Sequence, residues 1–231
     1  MPDGLTRKLT AEALGSCFLL VAVVGSGVAA QRLSPNDVGL QLLENAVATG
    51  VALVGLILVF GPVSGGQFNP VVTAVARIDG TLTNRETGGY VVAQVLGACA
   101  GTLLANAMFA LPLAQWSTTA RSSGPLWLSE VVATVGLLLV IFALVRSHRQ
   151  AFIPFAVGAW ITGAYWFTSS TSFANPAATV ARTLTNSFAG IRPSSAPMFI
   201  VMQLIGCAVA IGLLQVLYPS HATSPQEPID V

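Results

Sequence analysis

Ser64-Gly65-Gly66-Gln67-Phe68-Asn69-Pro70-Val71-Val72-Thr73 is echoed later in the chain by Ala174-Asn175-Pro176-Ala177-Ala178-Thr179, the two Asn-Pro pairs lying 106 residues apart. Asn is a strong helix N-cap, and Pro suits the first helical turn, where its missing N–H needs no partner. Each pair therefore predicts a helix start. The residues after it stay apolar only to about Ile78 or Leu184. That is roughly ten residues, which at about 1.5 Å rise per residue cover half the hydrocarbon of a bilayer. The prediction is two half-helices that enter a membrane and turn back.

Each half-helix is approached through polar or Gly-rich sequence, Gly61-Pro62-Val63-Ser64-Gly65-Gly66-Gln67 and Thr168-Ser169-Ser170-Thr171-Ser172. Such backbone cannot face lipid with its polar groups unsatisfied. It must line a watery path, its carbonyls forming a ladder of acceptors and its inward N–H groups needing acceptors within the protein. Glu12 and Glu130, the two carboxylates well inside apolar stretches, are the expected acceptors. Half-helices abutting at their N-termini place partial positive charge at the path's centre, where the amides of Asn69 and Asn175 can donate to a solute oxygen. Cations and protons are disfavoured there, and neutral hydroxylated molecules are accepted.

The rest of the chain repeats in the same order. Ala11-Glu12-Ala13-Leu14-Gly15 is answered by Ser129-Glu130-Val131-Val132-Ala133, and Ala93-Gln94-Val95-Leu96-Gly97 by Met202-Gln203-Leu204-Ile205-Gly206. Six stretches are long and apolar enough to span: about 11 to 30, 40 to 61, 88 to 112, 126 to 146, 151 to 168 and 197 to 218. Three spans per half is an odd number, so the second copy crosses upside down. Inverted repeats of this kind put a solute path near the midplane, lined by broken helices from both halves. The expected organisation is one membrane unit over 1–231, with repeat one over about 5–112, repeat two over about 126–218 and a flexible tail over 219–231.

Composition agrees. Hydrophobic residues make up 54% of the 231 and charged residues 8%, against roughly 25% charged in soluble domains. A soluble fold is excluded. Arg and Lys are scattered among loops without a basic run, which gives nucleic acid no surface. Cys17, Cys99 and Cys207 lie in apolar spans without metal-ligand spacing, so neither a disulfide framework, a metal nor a cofactor is implied. The first span follows Arg7 and Lys8 like a signal peptide, but it is long and contains Glu12, which predicts an uncleaved helix. With the N-terminus inside, six Arg and Lys fall in cytoplasmic segments and four outside. That small excess modestly favours both termini in the cytoplasm, and the expected location is the inner membrane.

From Ser64 to Thr73, and again at Asn175-Pro176-Ala177, the chain resembles the aquaporin and aquaglyceroporin family, with the Glu and Gln landmarks in register over about residues 5 to 218. The resemblance implies an all-α membrane fold of six helices plus two re-entrant half-helices, and a homotetramer in which each protomer carries its own pore. It makes Asn69-Pro70-Val71 and Asn175-Pro176-Ala177 the pore motifs, with Val71 where relatives have Ala. Gln67 stands where many relatives have His. The larger departure is Ala178, at the place where the family carries Arg. Counting without gaps sets the remaining constriction positions at Thr49, Gly163 and Ser172, none aromatic and none large. The resemblance then implies a wide outer ring lacking the usual fixed cation, with Arg182 expected at the far end of its half-helix, and a swing of its side chain back to replace the absent charge left as the alternative. Relatives with a small residue in place of that Arg resemble channels that pass arsenite and methylated arsenicals, and arsenous acid is a neutral polyol-like solute.

The function expected is thus a passive channel for small neutral hydroxylated solutes: water, glycerol and metalloids. A water and glycerol facilitator without a metalloid role is the near alternative. A secondary transporter also uses inverted repeats and broken helices, but Glu12 and Glu130 are the only candidate coupling groups inside spans. An intramembrane enzyme would need a nucleophile with a base, or a metal. His148 and His221 both lie outside the spans, and neither a His-Glu-x-x-His nor a Gly-x-Ser-x-Gly motif occurs.

Overall fold

The computed structural model describes residues 4–219. The tail expected from 219 onward lies, beyond Pro219, outside the described residues. Eight α-helices follow in order: α1 (Gly4–Leu33), α2 (Val38–Ser64), α3 (Pro70–Ile78), α4 (Asn84–Met108), α5 (Gly124–Arg146), α6 (Ile153–Phe167), α7 (Pro176–Ala181) and α8 (Ala196–Leu217). Short 3-10 turns occupy Gln150–Phe152, Arg182–Leu184 and Pro193–Ser195.

Local chemistry sets the ends. The Asp37 carboxylate accepts from the N–H of Leu40 at 2.9 Å and starts α2. Thr83 and Glu86 close a capping box at the start of α4. Helix α2 stops at Gly65, whose φ of 93° needs a residue without Cβ, and the Gly65 N–H closes back on the carbonyl of Gly61. At the other end of α3, the guanidinium of Arg146 bonds Asp79 at 2.7 Å and also reaches the carbonyls of Leu214 and Tyr218. One cation so ties the end of a half-helix to both α5 and α8.

Five helices, α1, α2, α4, α5 and the Pro193–Leu217 segment that contains α8, are long and apolar enough to cross a membrane. The sixth span, expected over 151–168, is shorter as an α-helix. Its fifteen residues in α6 reach about 23 Å at 1.5 Å each, and the preceding 3-10 turn adds about 6 Å, which together approach a hydrocarbon core of about 30 Å.

The two halves pack alike. Helix α1 lies against α4 and α2, as α5 lies against α8 and α6, while α2 meets α6 across the centre. The half-helices α3 and α7 sit between the halves, each touching the closing helix of its own half and that of the other. Gly50 of α2 and Gly158 of α6 face each other where those helices cross. A Cβ on Gly50 would stand 2.8 Å from the Gly158 carbonyl oxygen, and one on Gly158 would stand 2.7 Å from that of Gly50. This reciprocal contact is what a twofold relation between the halves demands.

Gly97 of α4 lies so close to α1 that a methyl group there would overlap the carbonyl of Ala13. Its repeat counterpart, Gly206 of α8, likewise approaches the carbonyl of Val131 on α5. Backbone cannot move aside as a side chain does, so Gly97→Ala is expected to destabilise the fold by about 1–3 kcal/mol through overpacking. Thermal melting in detergent should show this as a lowered midpoint, and an unchanged midpoint would mean that α1 and α4 can part at no cost.

Candidate functional site

The site grows from the two helix starts. Asn69 caps α3, its side-chain oxygen accepting from the N–H of Val71 at 3.1 Å. Asn175 caps α7 by accepting from Ala177 and Ala178 at 3.0 and 3.2 Å. The amide nitrogens cross over between the halves. Nδ2 of Asn69 donates to the carbonyl of Ala174 at 2.8 Å, and Nδ2 of Asn175 donates to the carbonyl of Phe68 at 2.9 Å. A side-chain amide has two N–H donors and one oxygen. The oxygen caps its own helix, one hydrogen joins the other half, and the second hydrogen has no acceptor among the described residues. Each nose of a half-helix is thereby fastened to the segment before the other.

Those approach segments share an unusual backbone. Gly65, Gly66 and Phe68 have φ of 93°, 60° and 49°, and Thr171, Ser172 and Ala174, their counterparts at the repeat offset, have 61°, 48° and 45°. Left-handed backbone costs L-residues about 1–2 kcal/mol each, so four of these six need external support. The two buried carboxylates provide it. Glu12 accepts from the hydroxyl of Ser64 at 2.6 Å, the N–H of Gln67 at 3.0 Å, the N–H of Phe68 at 2.7 Å and the amide of Gln94 at 2.7 Å. Glu130 accepts from the N–H groups of Phe173 and Ala174 at 2.9 and 3.0 Å and from the amide of Gln203 at 2.6 Å. Gln94 and Gln203 also donate to the hydroxyls of Thr73 and Thr179, each at 2.9 Å. Those hydroxyls bond back to the carbonyls of Asn69 and Asn175.

A cavity of about 660 Å³ runs along this seam. Its wall includes Thr81 and Gln150 beyond the end of α3, then Asn69 and Asn175, and finally Arg182 beyond the end of α7. Of the constriction positions counted from the sequence, Thr49, Ser172 and Ala178 are in the wall and Gly163 is not. Gly163 is half-buried beside Phe167, and the α6 residues at the wall are Ile153, Pro154, Val157, Ile161 and Tyr165. The reason is helical phase. Two residues along an α-helix turn about 200°, so 163 faces away when 161 and 165 face inward. The Tyr165 hydroxyl lies 3.4 Å from that of Thr49, and the ring therefore contains an aromatic group that gap-free counting misses.

Arg182 lines the same cavity at the end of α7. It closes the end of α7 as expected, with its N–H on the carbonyl of Ala178. Its side chain, however, is buried and lies in the cavity wall. The guanidinium stacks over the Phe173 ring at 3.4 Å from the centroid, and its Nε donates to the carbonyl of Ala189. Arg121, from the loop between α4 and α5, approaches the same ring at 5.1 Å and donates to the carbonyls of Gly190, Ser170 and Phe188. That loop also pairs backbone with the stretch after α7, Gln115 and Ser117 donating to Leu184 and Thr183, and Arg192 donating to Thr119. Sequence reading missed Tyr165, Phe173 and Arg121. Only Tyr165, a polar-tipped aromatic inside an apolar helix, carried a signal.

Two half-helices joined nose to nose beside a lengthwise cavity define a membrane channel. Comparison with known proteins gives the family. A model described as Major intrinsic protein matches residues 3–168. The chain is 48% identical over 227 residues to the aquaglyceroporin AqpS of Rhizobium meliloti, covering 96% of this chain and 97% of that one. It is 31% identical over 167 residues to an aquaporin Z of Rhodopseudomonas palustris, covering 66% and 69% respectively. The crystal structure of the aquaglyceroporin from Plasmodium falciparum superposes with a TM-score of 0.72 at 20% identity, over 92% of this chain and 96% of that one, and shares its fold. The chain belongs to the major intrinsic protein family of channels.

Proposed function

We propose that the protein is a passive pore for water, glycerol and larger neutral hydroxylated solutes, including arsenous acid and methylated arsenicals. The observation that carries this is Ala178 in the wall of the cavity, beside Thr49 and Ser172, where bulk and a motif-adjacent cation would otherwise narrow it. Relatives named as an aquaglyceroporin and an aquaporin support glycerol and water as substrates. The paired Asn69-Pro70-Val71 and Asn175-Pro176-Ala177 starts orient solute oxygens at the centre, and Glu12 and Glu130 hold the approaches. Both carboxylates are saturated by donors, which favours a pore over a proton-coupled transporter. The assembly proposed is a homotetramer in the plasma membrane with both termini cytoplasmic, built of repeats over about 5–112 and 126–218.

The test is stopped-flow permeability of proteoliposomes to water, glycerol, arsenite and methylarsenate, comparing wild type with Ala178→Arg. The substitution is expected to keep water flux while cutting methylarsenate and arsenite most, since an added fork of donors and bulk narrows the ring. Wild-type arsenical flux no faster than in empty vesicles would remove the metalloid assignment and leave a water and glycerol facilitator. Equal loss of all four solutes would mean that position 178 is not at the constriction.

A further inference from the structure

The wall of the pore on the α7 side should be uncharged if its cation were simply lost with Ala178, yet a guanidinium stands there. Residues four apart share a helix face. Arg182 follows Ala178 by that interval, and its N–H closes an i to i−4 bond on the Ala178 carbonyl. Side chains on a helix lean toward its N-terminus, so a long residue at 182 runs back across the space that a small residue at 178 leaves open. The structure has this arrangement, with both residues in the wall of one cavity.

The details distinguish a working cation from a structural one. Nε of Arg182 is bonded to Ala189, and Phe173 supports the face of the guanidinium. Among the described residues, its two terminal nitrogens have no protein acceptor, and neither belongs to the buried atoms left without a partner. They are not sealed off, and Arg182 lines the cavity. The hydroxyl of Ser172, also in the wall, is buried and has no partner either. The same wall includes Thr49 and Tyr165, whose hydroxyls lie 3.4 Å apart. A neutral solute crossing this ring therefore meets two forked donors from Arg182 and the hydroxyls of Thr49 and Tyr165, which can accept or donate. A cation meets a fixed positive charge that bulk water does not screen.

We infer that Arg182 is the selectivity cation of this channel, supplied from one helical turn beyond the usual place, so that the ring is wider at Ala178 and still closed to cations. This rests on the channel reading and adds to it a specificity residue and its mode of action. Arg121 is a positioning residue, holding the segment behind Phe173 through three carbonyls and having no place in the wall.

The experiment measures potassium and proton leak beside water and glycerol permeability in proteoliposomes of wild type, Arg182→Gln and Arg182→Lys, with melting in detergent as the control for folding. Arg182→Gln should raise cation leak on the order of tenfold or more, because a full charge at a low-dielectric wall is removed, while glycerol flux is kept. Arg182→Lys should exclude cations at neutral pH and begin to leak on alkalinisation, as the lysine loses its proton. Tyr165, Arg121 and Glu130 act electrostatically on the same guanidinium, and the wild type scanned over the same range is the control. Should Arg182→Gln fail to fold, the lysine profile decides alone. A folded Arg182→Gln that excludes cations as well as wild type, or a lysine variant with a flat pH profile, would overturn the inference. Wild-type water flux at the level of empty vesicles would instead overturn the channel reading beneath it.

Discussion

Removing the carboxylate of Glu130 is expected to unfold the second half of the pore, and Glu130→Ala should fail to give a stable, monodisperse protein. The side chain is fully buried and accepts from Phe173, Ala174 and the amide of Gln203. Each donor stranded away from water costs about 1–3 kcal/mol. The total is a large share of the roughly 5–15 kcal/mol by which folded proteins exceed their unfolded chains. The left-handed backbone at Ser172 and Ala174 would at the same time lose what holds it. Glu130→Gln should be intermediate, since one oxygen remains while an NH2 group turns a donor against a donor. Glu12, with four donors on it, predicts the same in the first half. Size-exclusion profiles and melting in detergent measure the effect. A Glu130→Gln protein with wild-type melting and wild-type water flux would mean that those N–H groups find other acceptors.

Asn175→Asp carries the second large effect, and it separates the cap from the crosslink. The carboxylate still accepts from Ala177 and Ala178, so α7 keeps its start. It cannot donate to the carbonyl of Phe68, and an oxygen now faces an oxygen across the seam. The charge at the centre also changes. Two helix N-termini contribute at most about +0.5 each, and one ionised Asp adds a full negative charge that cancels them. Neutral-solute flux should fall several-fold as the solute donor is lost, and cation leak should rise. Electrical recording on planar bilayers, with osmotic flux on the same preparation, measures both. Unchanged flux of both kinds would show that the Asn175 amide does not face the path.

Why some of this was legible in the sequence and some was not follows from the range of each interaction. The half-helices were legible because their starts are local: Asn caps and Pro begins within three residues, and the expected end at Ile78 is where α3 stops. The second ends earlier as an α-helix, at Ala181, with a 3-10 turn carrying the chain on to the expected Leu184. The inverted repeat was legible because Glu, Asn-Pro and Gln recur in order. The constriction was only partly legible. A count of residues back from Asn175 reaches Gly163, but the phase of α6 relative to that count depends on how the Thr168–Ser172 stretch bends between α6 and α7, which no local signal in the residues fixes. Arg182 was placed at the correct backbone position. The path of its side chain depends on the void at Ala178, the ring of Phe173 and the carbonyl of Ala189, three contacts that exist only after the loops close. The crossing of each Asn amide to the other half is of the same long-range kind.

A density map of the protein in lipid, at a resolution that shows single waters, tests the central claim most directly. The account predicts a file of waters through the molecule, with the molecule at its middle within hydrogen-bond distance of Nδ2 of both Asn69 and Asn175. Asn amides turned away from the water file, or waters running through another part of the protein, would contradict it.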